Sequence, residues 1–245
     1  MRKESHFTPA KMLSLLGVKP GSLAPIALIP GPRERSQMLL SILQSPRRDL
    51  AFLDYEMHTG TYEGKKVTVG NGGRYAPDTA ITTEILCAGG VDSLIRIGSC
   101  GALQDQIKIG DLVIVTGALR GEGTSAYYVS RSFSTISHPD IVRALTQAAL
   151  ALNVRYHLGS VFTTDALFQE TPELIADLEQ QRVAAIDMVT SAFLTIAQVR
   201  GKKAGAILAV SDECLNGKMG FRDPVFQAAE EKMVEVALKA IQFLG

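Results

Sequence analysis

The sequence predicts an α/β fold, a single domain in which a central mixed, largely parallel sheet is flanked by helices. Short apolar runs rich in Ile and Val alternate with longer runs of helical period. A chain of 245 residues suits one domain around one core, and neither a repeat nor an interdomain linker divides it. We therefore assign 1–245 to one domain, with 1–24 as an N-terminal extension that can lie at a subunit interface.

The elements of the first half follow from their apolar patterns. Residues 25–30, PIALIP, predict a buried strand because the segment is apolar throughout, and Gly and Pro follow it. Segment 33–43 places its apolar residues on one helical face. Segment 60–70 has the alternating pattern of a hairpin strand, and segment 78–90 predicts a helix that ends on glycine. Segment 93–98, SLIRIG, predicts a strand that ends at a Gly-Ser-Cys-Gly turn.

The second half repeats this alternation. Apolar β-type runs predict strands at 111–117, 156–165, 184–188 and 204–210. Helical periodicity, with proline near the first turn of several segments, predicts helices at 138–152, 170–181, 189–201 and 224–244.

Composition excludes several classes of function. Lys plus Arg equals Asp plus Glu at 25 each, so no net field attracts nucleic acid or an anionic membrane, and a small molecule is the expected ligand. No apolar run approaches the roughly 18 residues of a membrane span, which predicts a cytoplasmic protein. The 3 Cys and 4 His are scattered, so neither a disulfide framework nor a metal site is implied.

Residues 70–74, GNGGR, form a Gly-rich stretch that matches neither the dinucleotide motif GxGxxG nor the P-loop GxxxxGK[ST]. This weakens the interpretation as an oxidoreductase or nucleotidase.

Polar residues follow four of the predicted strands. In open parallel sheets, ligands bind beyond the carboxyl ends of strands, so these positions are the candidate site. They are Gly31 with Arg35, Arg96 with Ser99, the segment IDMVTSA at 186–192, and Ser211 with Asp212. Each also has a purely structural interpretation, since glycine marks turns, an arginine can reach a surface carboxylate and an aspartate can cap a helix.

The segments that carry these residues resemble the nucleoside phosphorylase family, which includes purine nucleoside phosphorylases and uridine phosphorylases. The segments are ALIPGPRER, IRIGSCGALQDQIKIGDLVI, IDMVTSA and VSD, and the resemblance spans 25–240. It implies a nucleoside phosphorylase-like fold and a pentosyltransferase reaction. Inorganic phosphate attacks C1′ of a nucleoside, which releases the base and (deoxy)ribose 1-phosphate, and no cofactor takes part.

The resemblance also assigns roles at the phosphate and sugar ends. Gly31, Arg35, Arg96 and Ser99 match the phosphate-binding positions, where guanidinium groups spread their donors over the oxygens. Met188 matches the residue that packs under the sugar. His6 matches a histidine that a neighbouring subunit contributes to the sugar 5′-hydroxyl.

At the base end, the resemblance places Phe162 as the stacking aromatic and Ser211 with Asp212 as the recognition pair. Asp212 matches the general acid that protonates N7 of a leaving purine, and Arg222 is the residue that assists this transfer. Gln169 matches a uracil-binding glutamine, although the arginine that accompanies it in uridine phosphorylases is absent. Asp212 therefore favours a purine-type base over uracil.

Several positions depart from the family pattern. Pro32 replaces an aspartate, and Leu53 replaces an arginine donated across the dimer interface. Asp187 and Val189 replace the two glutamates of the VEMEA segment, of which the second binds the ribose hydroxyls. A hydrogen bond to a charged group contributes roughly 1.5 to 3 kcal/mol, so each loss weakens the reactive complex by about ten- to a hundredfold. Arg47 or Arg48 is the candidate to replace the missing cation in space.

Three hypotheses follow from the sequence. The first is a nucleoside phosphorylase. The second is a family member with altered or lost activity that acts as a nucleoside-binding or partner subunit, and the third is a nucleoside hydrolase of the same fold. The resemblance also implies a homo-oligomer built from dimers, with a hexamer as the expected form.

Overall fold

The computed structural model describes residues 6–244, which form a ten-stranded sheet flanked by seven α-helices. The strands are β1 (Ile26–Pro30), β2 (Gln44–Phe52), β3 (Tyr55–Tyr62), β4 (Lys65–Gly70), β5 (Ser93–Ala102), β6 (Leu112–Gly121), β7 (Tyr156–Thr164), β8 (Ala185–Asp187), β9 (Lys203–Glu213) and β10 (Lys218–Met219). The helices are α1 (Pro9–Leu15), α2 (Arg33–Ile42), α3 (Ala76–Ala88), α4 (Pro139–Ala151), α5 (Pro172–Gln180), α6 (Thr190–Val199) and α7 (Pro224–Ala240). Positions 1–5 of the predicted extension, and position 245, lie outside the described residues.

The sheet runs in the order β10-β9-β6-β7-β8-β5-β1-β4-β3-β2, and a further pairing joins β9 to β5. The five strands from β9 to β5 therefore close on themselves, and the other strands extend from this ring. Parallel pairings join β1 to β4 and β5, β5 to β9, and β7 to β6 and β8, whereas the other pairings are antiparallel. The predicted α/β class with a mixed, helix-flanked sheet is confirmed, and the sheet is less parallel than the sequence indicates.

Two central strands are longer than their apolar patterns predict. The Gly-Ser-Cys-Gly stretch does not leave the sheet, because β5 stays paired with β9 from Ser93 to Ala102 with one register shift after Cys100. Strand β9 likewise continues to Glu213. The pairing places Ser99 opposite Ala209 and Gly101 opposite Asp212. Ser99 and Asp212, which were predicted to follow their strands, thus lie within the paired ends of β5 and β9.

Two elements of the first half were not predicted. Strand β2 has a largely exposed and polar sequence, QSPRRDLAF, without a clear alternation, and it forms because it pairs with β3 at the edge of the sheet. Helix α1 lies within the predicted extension and is capped by the Thr8 hydroxyl, which accepts a hydrogen bond from the amide of Lys11.

Apolar clusters cover both faces of the sheet. One cluster joins the sheet to α2, α4 and α7, and the second joins it to α1, α3 and α6, where Phe193 is fully buried. These clusters hold β1, β5 and β9 side by side, which positions their carboxyl ends at one site. Within residues 6–244, no helix combines the length and the apolar composition needed to cross a bilayer.

Candidate active site

A cavity of about 290 Å³ lies where the carboxyl ends of β1, β5, β8 and β9 meet. Most of the residues predicted to form the site lie in its wall. They are Gly31, Arg35, Arg96, Ser99, Met188, Ser211 and Asp212. Strand pairing explains this convergence, since β5 lies between β1 and β9 and β8 crosses the end of β5.

Arg96 lies inside β5 and is only 3% exposed. Its Nη2 is 3.3 Å from Asp187 Oδ2, whereas its Nε and Nη1 have no hydrogen-bond partner among residues 6–244. Burial lowers the pKa of this guanidinium from its ordinary value, the charge of Asp187 opposes the shift, and the nearby Arg35 adds to it. A buried cation with unused donors is stabilised by an anion in the adjoining cavity.

Gly98 makes room for the Arg96 guanidinium. A Cβ atom on Gly98 would lie 1.7 Å from Arg96 Nη1 and 2.4 Å from its Cζ. The side chain therefore folds back over the backbone two residues further along β5. Any other residue at position 98 would displace the guanidinium.

Arg35 reaches the same end of the cavity from the first turn of α2. Its Nη1 donates to the carbonyl oxygen of Ile97 at 3.1 Å, and its Nη2 donates to Ser99 Oγ at 2.9 Å and also pairs with Glu230 of α7. Because Ser99 Oγ accepts from Arg35, its own proton is left to donate to a ligand. Arg35, Ser99 and Arg96 together form an end of the cavity that is rich in donors.

Asp187 has a structural role at this donor-rich end of the cavity. Its carboxylate accepts from the Thr163 hydroxyl at 2.8 Å and from the amide and hydroxyl of Thr190 at 3.0 and 2.5 Å. These contacts, together with the Arg96 pair, satisfy the carboxylate and anchor the start of α6. Asp187 therefore orients Arg96 and is not available to bind a sugar.

The opposite end of the cavity carries Ser211 and Asp212. The Ser211 hydroxyl is 2.7 Å from Asp212 Oδ1 and 3.2 Å from the carbonyl oxygen of Cys100, and it can donate to either. The thiol of Cys214 lies 3.5 Å from Asp212 Oδ2. A Cβ on Gly101 would lie 2.6 Å from that same oxygen, so glycine lets Asp212 approach β5 closely.

Two further residues of the cavity wall, Glu170 and Phe221, were not predicted from the sequence. Glu170 lies in the wall, and burial, with a smaller contribution from the charge of Asp212, raises the pKa of its carboxyl to about 7. Phe221 also lies in the wall and packs edge-on against Phe226, with ring centroids 6.2 Å apart. A carboxyl near Asp212 that keeps a proton close to neutral pH can donate a hydrogen bond.

Some predicted residues are not brought to the cavity. Phe162 packs beside the cluster of Leu103 and Ile186, against Gly121. Gln169 is exposed in the short 3₁₀ turn Leu167–Gln169, and Arg222 is exposed beside Phe221. Glu170 lines the cavity instead of Gln169, and Phe221 lines it instead of Arg222. The backbone conformation of each turn therefore determines which of two adjacent side chains faces the cavity.

His6 is exposed and lies outside the cavity wall of its own chain. The sequence predicts that His6 contacts the sugar in the site of a neighbouring subunit. Contact between His6 and the sugar stays a prediction, because the structure contains one subunit.

Three of the departures from the family pattern lie in the cavity wall. They are Pro32, Asp187 and Val189, and Val189, only 1% exposed, is an aliphatic residue where the family pattern has a ribose-binding glutamate. Leu53 lies at the tip of the β2–β3 hairpin and is 82% exposed. Residues 6–244 contain no cluster of three or more His, Cys, Asp or Glu side chains that could hold a metal ion.

Comparisons with known proteins show the family of the chain. The model of the phosphorylase superfamily matches residues 25–242. A uridine phosphorylase of Thermococcus kodakarensis is 35% identical over 243 residues, which cover 94% of this chain and 86% of that protein. A guanosine phosphorylase of Halorubrum lacusprofundi is 30% identical over 241 residues, which cover 96% and 100%.

The fold is also that of a solved structure. The crystal structure of purine nucleoside phosphorylase from Toxoplasma gondii in complex with immucillin-H matches with a TM-score of 0.85. The match covers 98% of this chain and 96% of that chain at 24% identity, and so it shows the fold alone.

The fold and the cavity together define an α/β enzyme whose cavity carries arginine and serine donors from β5 and α2 and carboxyl groups from β9 and the 167–170 turn. The chain belongs to the phosphorylase superfamily, and the predicted resemblance is confirmed. It is a pentosyltransferase of the nucleoside phosphorylase type, which acts on a small nucleoside with inorganic phosphate as co-substrate and needs no cofactor.

Proposed function

We propose that the protein cleaves a purine-type nucleoside by attack of phosphate at C1′, with the cavity residues in the roles that follow. The observation that carries this proposal is the arrangement of unused buried donors of Arg96 at one end of the cavity and the Ser211–Asp212 pair at the other. In this proposal the sugar lies between these two groups, beside Met188.

At the anion end, Arg96, Arg35 and Ser99 hold the phosphate, with the backbone of Gly31 beside them. The phosphate needs several fixed donors, because it must be held next to a sugar carbon that becomes positively charged in the transition state. Arg96 contributes Nε and Nη1, and Arg35 is steadied by Ser99 and Glu230. Met188 packs against the sugar.

At the base end, Asp212 protonates N7 of the purine as the glycosidic bond breaks, and Ser211 orients the carboxyl group. A protonated purine is a much better leaving group than its anion. Glu170 supplies a second carboxyl at this end, and Phe221 supplies an apolar face for the base. Arg222 keeps its predicted assisting role only if the loop that holds Phe221 rearranges.

Uridine is the second candidate substrate, because the relative from Thermococcus kodakarensis is named a uridine phosphorylase. Uracil has no N7, so the proposed role of Asp212 has no counterpart on that base. Gln169, the residue predicted to bind uracil, is exposed and does not reach the cavity wall. These two observations favour the purine.

We also propose that residues 1–245 act as one domain in a cytoplasmic homo-oligomer built from dimers, with a hexamer as the expected form. The exposed positions of His6 and Leu53 support this assembly, because both match family positions that lie at a subunit contact. Sedimentation equilibrium measures the number of subunits directly, and a monomer at micromolar concentration would contradict the proposal.

A nucleoside panel tests the proposed chemistry. Release of base from inosine, guanosine, adenosine and uridine is measured with and without phosphate, and we expect phosphate-dependent release that is fastest with a purine. The variant Asp212→Asn is expected to lower the purine rate by about a hundredfold. Faster cleavage of uridine would overturn the purine assignment. Release without phosphate would indicate a hydrolase, and binding without cleavage would indicate an altered family member.

A further inference from the structure

The loop formed by Asn71, Gly72, Gly73 and Arg74, called here the 71–74 loop, lies directly against the first phosphate-binding segment. The amide of Gly73 donates to the carbonyl oxygen of Pro30 at 3.2 Å. A Cβ on Gly31 would lie 3.1 Å from the carbonyl oxygen of Gly73, and a Cβ on Gly73 would lie 2.9 Å from that of Pro30. The two backbones approach this closely because both segments carry glycine.

Arg74 extends this contact into the cavity, where it lies in the same wall as Arg35 and Arg96. Its amide and Nε are 3.4 and 3.3 Å from Asp78 Oδ2, in the first turn of α3. This contact positions the side chain through Nε, and within residues 6–244 no hydrogen bond engages its terminal nitrogens. The Arg74 side chain is 45% exposed, so water screens the pair and an anion can compete with it.

The anion-binding end needs a further positive charge. The Arg96 charge is paired with Asp187, and the Arg35 charge is paired with Glu230. The charges of these four buried or partly buried side chains cancel, whereas phosphate carries between one and two negative charges at neutral pH. The exposed Leu53, at the position where relatives carry a cation, cannot supply it. Arg74 is also paired, with Asp78, but its own side chain is 45% exposed, so this pair is the one that a bound anion can replace.

Arg74 lies next to the place that Leu53 leaves without a cation. A second recess beside the cavity shares Gly31 and Arg74 with it, so Arg74 borders both spaces. The recess is also lined by Arg33, Leu53, Asp54, Glu56 and Asn71. The sequence suggested Arg47 or Arg48 for this role, and neither lines the cavity or the second recess. Arg47 lines a different recess on the sheet edge and pairs with Asp49 at 2.9 Å.

We propose that Arg74 is a phosphate-binding residue that supplies, from the same subunit, the positive charge that Leu53 lacks. This inference rests on the proposed phosphate end of the cavity. It gives the GNGGR stretch a function unrelated to nucleotide-binding motifs, because glycine allows the close approach of the backbone and arginine completes the anion site.

The test compares Arg74→Gln with Arg74→Lys and with the control Arg143→Gln. Arg143 is exposed and, like Arg74, pairs with an aspartate in the first turn of a helix, Asp140 of α4, but it lines neither the cavity nor the second recess. Base release is measured over a range of phosphate concentrations at saturating nucleoside. We expect Arg74→Gln to raise the phosphate KM by about ten- to a hundredfold, with a nucleoside KM within about threefold of the wild type. Arg74→Lys should restore part of the loss, and the control should match the wild type.

A second measurement separates this inference from the proposed function. Inorganic phosphate alone is titrated into each protein by calorimetry, and Arg74→Gln should weaken binding by the same factor. If the wild type binds phosphate but releases no base, the proposed function is wrong. The difference in phosphate affinity between the wild type and Arg74→Gln still tests whether Arg74 binds phosphate. An unchanged phosphate affinity in Arg74→Gln would overturn the inference, and so would a larger loss in Arg47→Gln or Arg48→Gln.

Discussion

Arg96 Nη2 lies 3.3 Å from Asp187 Oδ2, and both side chains are almost completely buried. The same carboxylate accepts hydrogen bonds from Thr163 and from the first residue of α6, Thr190. One side chain at the end of β8 therefore connects Arg96 to α6 and to β7. The position of the guanidinium is set by this network before any ligand arrives.

Asp187→Asn is expected to destabilise the protein strongly. The amide has nearly the same shape but removes the charge, so the Arg96 cation is left buried without a counter-ion. Loss of one partner of a buried ion pair lowers the free energy of unfolding by about 3 to 5 kcal/mol, which denaturant titration measures. The control Glu235→Gln removes an exposed pair with Lys232 and should change the value by less than about 1 kcal/mol. Equal effects of the two variants would contradict the role given to Asp187.

Gly98→Ala is expected to weaken phosphate binding while the fold persists. The added methyl group would occupy the place of Arg96 Nη1, which must then move away from the cavity. We expect the phosphate KM to rise about tenfold or more. Gly123→Ala is the matched control, because its Cβ would meet only Asp165 Oδ2 at 3.6 Å, an ordinary contact. A wild-type phosphate KM in Gly98→Ala would show that the Arg96 position does not matter.

The enzyme is expected to discriminate little between ribonucleosides and 2′-deoxyribonucleosides. Val189 in the cavity wall cannot accept hydrogen bonds from the sugar hydroxyls, so the hydroxyl that distinguishes the two substrates finds no carboxylate at this position. Values of kcat/KM for inosine and 2′-deoxyinosine should agree within about tenfold. A preference far beyond that range would mean that another group binds the 2′-hydroxyl.

Glu170 is expected to make stability fall as the pH rises. Its carboxyl pKa is raised from 4.5 to about 7, mainly by burial and then by the charge of Asp212, so the folded state holds this proton more tightly than the unfolded state. The resulting stabilisation is fully present below pH 4.5 and is lost as the pH rises through about 7. The Tm of the wild type minus that of Glu170→Gln should therefore decrease over this range, as measured by thermal melts in phosphate-free buffer.

Glu173→Gln is the control for the Glu170 measurement. Hydrogen bonds from its own backbone amide and from Thr171 lower the pKa of the Glu173 carboxyl below its ordinary value of 4.5, so its contribution changes only in more acidic solution. Between pH 5 and pH 8 its difference from the wild type should stay constant. A constant difference for Glu170→Gln as well would mean that Glu170 is solvated.

The donor-rich end of the cavity, formed by Arg35, Arg96 and Ser99, was largely predictable because these residues lie in short segments next to apolar strands. Arg96 and Ser99 are three positions apart on one strand, and Arg35 follows another strand after a glycine. Local pattern is enough to place such residues at strand ends. Glu230 was not predictable, because it meets Arg35 across 195 positions and lies on a helix with many charged residues.

Sequence patterns over short segments did not predict which residues form the cavity wall near Glu170 and Phe221. The segment around Gln169 was recognised, but Glu170 faces the cavity, because a 3₁₀ turn rotates successive side chains by about a third of a turn. Phe221 rather than Phe162 lines the wall, since Phe162 is drawn into the apolar cluster beside Leu103.

The sequence by itself determined the α/β class, the family and several residues of the cavity wall, because these depend on the periodicity of apolar residues and on short contiguous segments. The tertiary structure alone decided which carboxylates pair with Arg35 and Arg96, which turn residues line the cavity and that Arg74 lies in the same wall as the two arginines. These are contacts between residues distant in sequence, and they depend on the register of β5 with β9 and on the closure of the strands into a ring.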